Sequence, residues 1–251
     1  MTKIYYIMKI MLNTIPNQNI EKIQINGDRY YNVDNTYYKS VTSILNSVKN
    51  PNIDQWRNKI GIDAANLISK TACDRGTRIH SLCELYLLNN KNIKYENLSD
   101  SAIFETCFIN ELDKIDNIHC LETTLISHKL KYAGTVDCIA EYEGKLSVID
   151  FKTSLKPKKE SYIDSYFLQT AAYAMAYNEM TGTKIDDLVI IIGVDKLDKA
   201  QVFKQSLINW ENKFIYIVNN LNKHEILLNK LNQKSGTEDG AVGPIENPLL
   251  F

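Results

Sequence analysis

The feature that most constrains this chain is a change of hydrophobic period at its middle. From Cys120 onward three segments, Cys120 to Ser127, Tyr132 to Tyr142 and Lys145 to Thr153, alternate or run apolar with β-branched residues, as strands do. Glu143-Gly144 is a tight-turn pair, so the last two segments form a hairpin within a three-stranded meander. Beyond it, Tyr162 to Met180 reads as a long helix and Leu207 to Leu231 as a final one. Between those helices Asp187 to Val194 is a continuous apolar run, the pattern of a strand buried on both faces. The order of helices, three strands, helix, strand and helix predicts an α/β fold, with a mixed central sheet of four or more strands flanked by helices.

Upstream of the meander the period is helical. Ser40-Val41-Thr42 starts a helix that places Val41, Ile44, Leu45 and Val48 on one side and stops at Asn50-Pro51; a second helix carries Trp56 and Arg57. Gly76 to Leu88 repeats Ile79, Leu82, Cys83, Tyr86 and Leu87 at helical spacing, with His80 and Glu84 four apart on another side, and a further helix runs from Ser101 to Ile115. Residues 1–38 read as an extended arm with a turn at Asn26-Gly27-Asp28 between short strands. Residues 39–234 read as a single domain whose N-terminal part is helical, and 235–251, with Gly236, Gly240, Gly243, Pro244 and Pro248, as a flexible tail. The apolar end of that tail, Leu249 to Phe251, either packs back on the domain or serves as a docking peptide for a replication or recombination protein.

Length and composition, 251 residues with 44% hydrophobic and 24% charged, suit one ample globular domain. A formal charge of −1 provides no global pull on a polyanion, so a nucleic-acid ligand would have to be held by a local patch. Lys3 and Lys9 interrupt an apolar start that lacks a cleavage pattern and is too short to span a bilayer, which argues against a signal peptide and a membrane segment. The five cysteines form no C-x-x-C pair, which argues against a disulfide framework, a zinc knuckle or an iron–sulfur cluster and for reduced thiols in the cytoplasm. Abundant Lys, Asn, Ile and Tyr suit an AT-rich genome such as a bacteriophage's.

Phosphodiester hydrolysis needs neutralised negative charge and an activated water, which clustered carboxylates holding a divalent cation supply. Asp137 and Asp150 lie on the two strands of the hairpin, with the turn about midway between them, so the sequence places them side by side. Two such buried carboxylates are costly unless a cation lies between them. Lys152 follows Asp150 on the same strand face, where it can polarise a phosphate or orient a water. Phe151 points to the core and leaves its backbone carbonyl as a further metal ligand.

Gly134-Thr135-Val136-Asp137, then Val148-Ile149-Asp150-Phe151-Lys152-Thr153-Ser154, then Gln169-x-x-x-Tyr173, resemble the motifs of RecB-type PD-(D/E)XK nucleases. Leu130-Lys131-Tyr132, Asp137-Cys138, Gly144-Lys145-Leu146, Lys152-Thr153-Ser154 and Lys156-Pro157 are similar to the mitochondrial genome maintenance exonuclease family, and Ser40-Val41-Thr42, Trp56-Arg57 and Gly76-x-x-x-His80 match in order. The resemblance implies a PD-(D/E)XK core and an exonuclease that uses one or two Mg²⁺ or Mn²⁺ ions on single-stranded DNA with a free end, leaving a 5′-phosphate. It implies His80 as a metal ligand or close neighbour, with Glu84 orienting its ring. Glu122 is then either a supporting residue or an exposed strand position, and Gln169 and Tyr173 brace the site or, for Tyr173, fill the core. DNA contacts fall to Ser40, Thr42, Trp56, Arg57 and Thr153. Lys129, Lys131, Lys156, Lys158 and Lys159 form either a positive track or a solvated loop. Two other readings share these motifs: a structure-specific flap endonuclease, and a catalytically silent nucleic-acid-binding recombination protein.

Overall fold

The computed structural model describes residues 9–12, 14–15, 20–48, 51–90 and 93–235, with the side chains of 51–52 and 224–235 outside the description. Eight strands form one mixed sheet: β1 (Glu21–Ile25), β2 (Asp28–Val33), β3 (Thr36–Ser40), β4 (Ile115–Ser127), β5 (Tyr132–Tyr142), β6 (Lys145–Ser154), β7 (Asp187–Val194) and β8 (Gln201–Ser206). The spatial order is β1-β2-β3-β5-β6-β7-β8, and β4 lies along the other edge of β5. The helices are α1 (Val41–Asn46), α2 (Pro51–Ile60), α3 (Ile62–Leu87), α4 (Leu98–Ile103), α5 (Ile109–Leu112), α6 (Asp164–Thr181) and α7 (Glu211–Ser235), with a π-helical turn, Phe104–Phe108, between α4 and α5.

Local chemistry sets these boundaries. Three two-residue hairpin turns, Asn26-Gly27, Asp34-Asn35 and Glu143-Gly144, have both residues at positive φ, the twist that joins antiparallel strands without splaying them. Ser40 ends β3 and caps α1 by accepting the Ser43 amide hydrogen at 3.0 Å. Gly182, at φ 71°, closes α6 in the left-handed conformation.

Two apolar layers sandwich the sheet. On one face α1, α6 and α7 bury Val41, Phe167, Tyr177 and Phe214 against Ile139, Val148 and Ile190. On the other, α3 to α5 bury Ile79, Leu82, Phe104 and Phe108 against Ala140, Ile149, Phe151 and Ile191. β7 is buried along nearly its whole length, as its continuous apolar run requires.

The N-terminal stretch departs from the expected irregular arm. From Glu21 it forms two hairpins, and β3 joins β5 in parallel through Lys39↔Tyr132 and Ser40↔Ala133. β4 starts at Ile115, five residues before the change of period, because Ile115 and Ile118 are buried and pull the strand inward. α3 is longer than the Gly76 to Leu88 pattern, since its N-terminal half is largely exposed and has no apolar stripe to mark it. β8, half-buried and polar, was not anticipated. The final helix continues to Ser235, and the tail beyond it lies outside the described residues. No helix among the described residues is long and apolar enough to cross a membrane.

Candidate active site

β5 and β6 pair from Tyr142↔Lys145 to Cys138↔Ile149 and no further. One more step of that register would set Asp137 opposite Asp150. There the strands part, as two carboxylates in a tight ladder must, and Asp137 Oδ2 accepts the Phe151 amide hydrogen at 2.8 Å in place of a strand carbonyl. β3 occupies the far end of the same β5 edge, at Tyr132 and Ala133. Among the described pairs, Gly134 to Asp137 therefore have no partner on that edge, and the sheet is open there.

Asp150 is 1% exposed, and among the described residues its carboxylate oxygens have no partner besides the Lys152 ammonium, 2.5 Å from Oδ2 in a close ion pair. That ammonium stands 5.4 Å from the centre of the Tyr166 ring of α6. Phe151 turns into the opposite layer against Phe108, as the period of two demands.

His80 comes from α3, on the Phe151 side. Its Nε2 lies 2.6 Å from the Phe151 carbonyl oxygen, which accepts that hydrogen, and its Nδ1 lies 3.4 Å from Asp137 Oδ1 and 4.0 Å from Glu122 Oε1. Glu122 stands opposite Asp137, between the pairs Leu121↔Cys138 and Thr123↔Val136, and has φ 45°, left-handed backbone within a strand. Such a kink re-aims a side chain. Ligand atoms of His80, Glu122 and Asp137 all lie within 4.8 Å of one another. Glu122 is thus a member of the cluster itself, and the ring of His80 is oriented by the Phe151 carbonyl rather than by Glu84, which adds negative charge beside Glu122.

Burial and mutual repulsion set the proton balance. Burial pushes the Asp150 carboxyl up to about 6, with Asp137 adding to the rise and Lys152 opposing it. Burial and the Asp137 charge push Glu122 to about 7. Burial alone would lower the His80 pKa, but the adjacent Asp137 carboxylate outweighs it and holds the imidazolium up to about 9. Asp137 itself is lowered: burial opposes its charge, but His80 and the Phe151 amide prevail. The residues fit a hard divalent cation. Ligand atoms of His80, Glu122 and Asp137 converge, while the buried Asp150 carboxylate lies outside that group, paired with Lys152 and close enough to feel the charges of Asp137 and His80.

Gln169 and Tyr173 stand together on α6, the Gln169 amide donating to the Tyr173 hydroxyl at 3.2 Å. Tyr173 is buried and lies over Gly134, where an added Cβ would come within 2.7 Å of its ring, so it both braces the site and fills the core. Beside it a cleft of about 260 Å³ is walled by Thr42, Glu122, Thr135 and Gln169 and by Lys22 and Arg29 of the first hairpin. Lys22 and Arg29 were missed from sequence because their hairpin read as an arm; the Asn26-Gly27 turn was its only signal.

Of the expected DNA contacts, Ser40 and Thr42 both line the cleft, Ser40 buried and occupied as a helix cap. Trp56 is exposed on α2, and Arg57 donates to Asn66 on α3 at 2.5 Å. Thr153 is near the end of β6, and Lys156, Lys158 and Lys159 lie in the loop beyond it, tied to β8 by Gln201, which accepts from the Lys158 amide at 2.7 Å. Lys129 is exposed at the β4–β5 turn, and Lys131 lines a separate groove with Tyr30, Tyr37 and Lys39. Tyr30 and Lys39 alternate with the cleft-facing Tyr31 and Ser40, so that groove lies on the opposite face of the hairpins.

Comparison with known proteins completes the description. The family profile of the PD-(D/E)XK nuclease superfamily matches residues 105–247, the span that holds Glu122, Asp137, Asp150, Lys152, Gln169 and Tyr173. The chain belongs to the PD-(D/E)XK nuclease superfamily. His80, on α3, lies outside the span matched to the superfamily. Mitochondrial genome maintenance exonuclease 1 of Homo sapiens is 34% identical over 138 residues, 51% of this chain and 39% of that protein. The Mus musculus protein of that name is 31% identical over 150 residues, covering 55% and 44% respectively. The Xenopus tropicalis protein is 39% identical over 107 residues, covering 41% and 30%. The chain thus spans less than half the length of these superfamily relatives.

Proposed function

We propose that this chain is a divalent-metal-dependent DNA exonuclease acting on single strands with a free end, in replication, recombination or repair, within the cytoplasm. The observation that carries the reading is the buried Asp150 carboxylate, partnered only by the Lys152 ammonium among the described residues and standing near the group of His80, Glu122 and Asp137. Similarity to proteins named exonucleases supports action on chain ends. We take residues 39–234 as the catalytic unit, with the first hairpins attached to it.

Asp137 and Asp150 would hold Mg²⁺ or Mn²⁺, with His80 and Glu122 beside them and the Phe151 carbonyl orienting His80 or joining the ligands. Such an ion supplies charge neutralisation at the phosphate and a water acidic enough to attack at neutral pH. Lys152 is the residue that touches the reacting group. Its ammonium, held by Asp150 and backed by Tyr166, neutralises a non-bridging phosphate oxygen or orients the attacking water, and the product keeps a 5′-phosphate. Gln169 and Tyr173 fix α6 against β5, so the carboxylates keep their separation.

Oligonucleotides labelled at the 5′ or 3′ end, single- or double-stranded, incubated with Mg²⁺ or with chelator, test this. Digestion of linear single strands only with metal, with covalently closed single-stranded circles spared, is the expected result. Cutting of closed circles that Lys152→Ala abolishes would make the protein an endonuclease, and no cutting at all with no Mg²⁺ binding would make it a silent binding protein.

A further inference from the structure

We propose that Lys22 and Arg29, on the first hairpin, form an anion subsite that grips a backbone phosphate of the DNA strand beside the one being cut. This rests on the reading of the chain as a DNA nuclease. Both side chains wall the cleft that opens onto Glu122, and Glu122 belongs also to the cluster with His80 and Asp137, so cleft and centre are continuous.

The hairpin holds these cations in place. Lys22 pairs with Tyr31 across β1 and β2, and its ammonium lies 5.7 Å from the centre of that ring. The Tyr31 hydroxyl bonds to Thr135 Oγ1 of β5 at 3.2 Å, and the Arg29 amide donates to Ser43 Oγ of α1 at 2.8 Å, which ties the hairpin to the wall of the cleft at two points. Among the described residues neither Lys22 nor Arg29 forms an ion pair, in contrast to Lys39 on the opposite face, which pairs with Asp28 at 2.9 Å.

The chemistry of the cleft selects a phosphate over a base. Thr42, Thr135 and Gln169 add hydrogen-bond donors to the two cations, while its aromatic rings, Tyr31 and Tyr173, are both 2% exposed and present no face for stacking. Cations and hydroxyls without a stacking platform bind the sugar–phosphate chain irrespective of sequence. In a protein of net charge −1 such a pair supplies the local field that the whole molecule lacks.

The test compares wild type with Lys22→Ala/Arg29→Ala in the full chain. Binding of a labelled oligothymidylate in chelator is followed across a salt series, and cleavage is measured with Mg²⁺. Loss of the one phosphate contact should lower the slope of log affinity against log salt by about 0.7, the value per phosphate neutralised on a single strand. KM should rise about tenfold with kcat within about twofold, as for a phosphate-positioning group. A neutral methylphosphonate linkage next to the cut should slow the wild type and have no further effect on the variant, and Lys22→Arg/Arg29→Lys should restore the salt slope. An unchanged slope and KM in protein that cuts DNA would overturn the subsite and leave the nuclease reading intact. A lowered slope in a chain whose wild type cuts nothing would overturn the nuclease reading and leave the subsite standing.

Discussion

The Asp137 carboxylate accepts the Phe151 amide hydrogen at 2.8 Å, so a side chain of β5 stands in for the backbone of the strand at the point where β5 and β6 separate. One residue thereby serves both the sheet and the cation cluster, and substitutions should separate the two roles. Asp137→Asn keeps an acceptor for Phe151 and should unfold in urea near the wild-type midpoint. Asp137→Ala orphans a buried amide and should cost about 1–3 kcal/mol. Both should lose cleavage. Equal stability of Asn and Ala variants would show that the bond to Phe151 contributes nothing.

Lys152→Ala should reduce cleavage by about 10²-fold or more, the usual effect of removing such a group. Without its ammonium the Asp150 carboxyl, already pushed to about 6 by burial, loses its main opposing charge and should rise further. The Mg²⁺ requirement should then increase most at the acid end of the range. Turnover above about a hundredth of wild type would exclude the assigned role of Lys152.

Metal and protons compete, and the direction follows from the shifts. Asp150 rises from 3.8 to about 6, Glu122 from 4.5 to about 7 and His80 from 6.5 to about 9. A group that binds its proton more tightly when folded stabilises the fold fully below its unfolded pKa and loses that contribution as pH rises through its folded one. Metal-free protein should therefore lose stability from these three groups between about pH 4 and 9, while Mg²⁺ affinity rises over the same window. Thermal melts in chelator and in Mg²⁺, taken from pH 5 to 9, should show a gap that widens with pH; a constant gap would refute the proton competition. His80→Ala should remove the part of that trend above neutrality and raise the Mg²⁺ requirement.

Gly134→Ala should be disruptive although alanine suits a strand. Its Cβ would stand 2.7 Å from the Tyr173 ring and 3.2 Å from Val41, and overpacking of this kind costs about 1–3 kcal/mol. Combined with Tyr173→Leu the cost should fall. Additive effects of the two changes would mean that Tyr173 is free to move away from β5.

The sheet was legible where the residues advertise themselves. The meander, the buried run of β7 and the α6 helix follow from period and β-branching, and so do the strand positions of Asp137, Asp150 and Lys152. The turn at Asn26-Gly27 and its short strands were legible, but the second hairpin and the pairing of β3 with β5 were not, because polar strands such as Glu21–Ile25 bury little and do not report their partners. The role of Glu122 depends on a positive φ and on the register of β4, neither of which a period reports. Lys131 of the β4–β5 turn and Lys152 of β6 are both lysines in sequence, yet the fold assigns the first to a groove and the second to the Asp150 carboxylate.

β3 meets β5 through only two residue pairs, at the end of an edge whose other end belongs to β6. The N-terminal hairpins are held by this short seam, by the Tyr31–Thr135 and Arg29–Ser43 hydrogen bonds, and by Tyr31 and Tyr38 packed with Ile126 and Ala133. Asp137 and Asp150 stand on the β5–β6 hairpin, whereas Lys22, Arg29 and Tyr31 reach the cleft from the first hairpin, so one wall of the cleft is encoded far from the carboxylates in the chain and can change while their strands stay as they are.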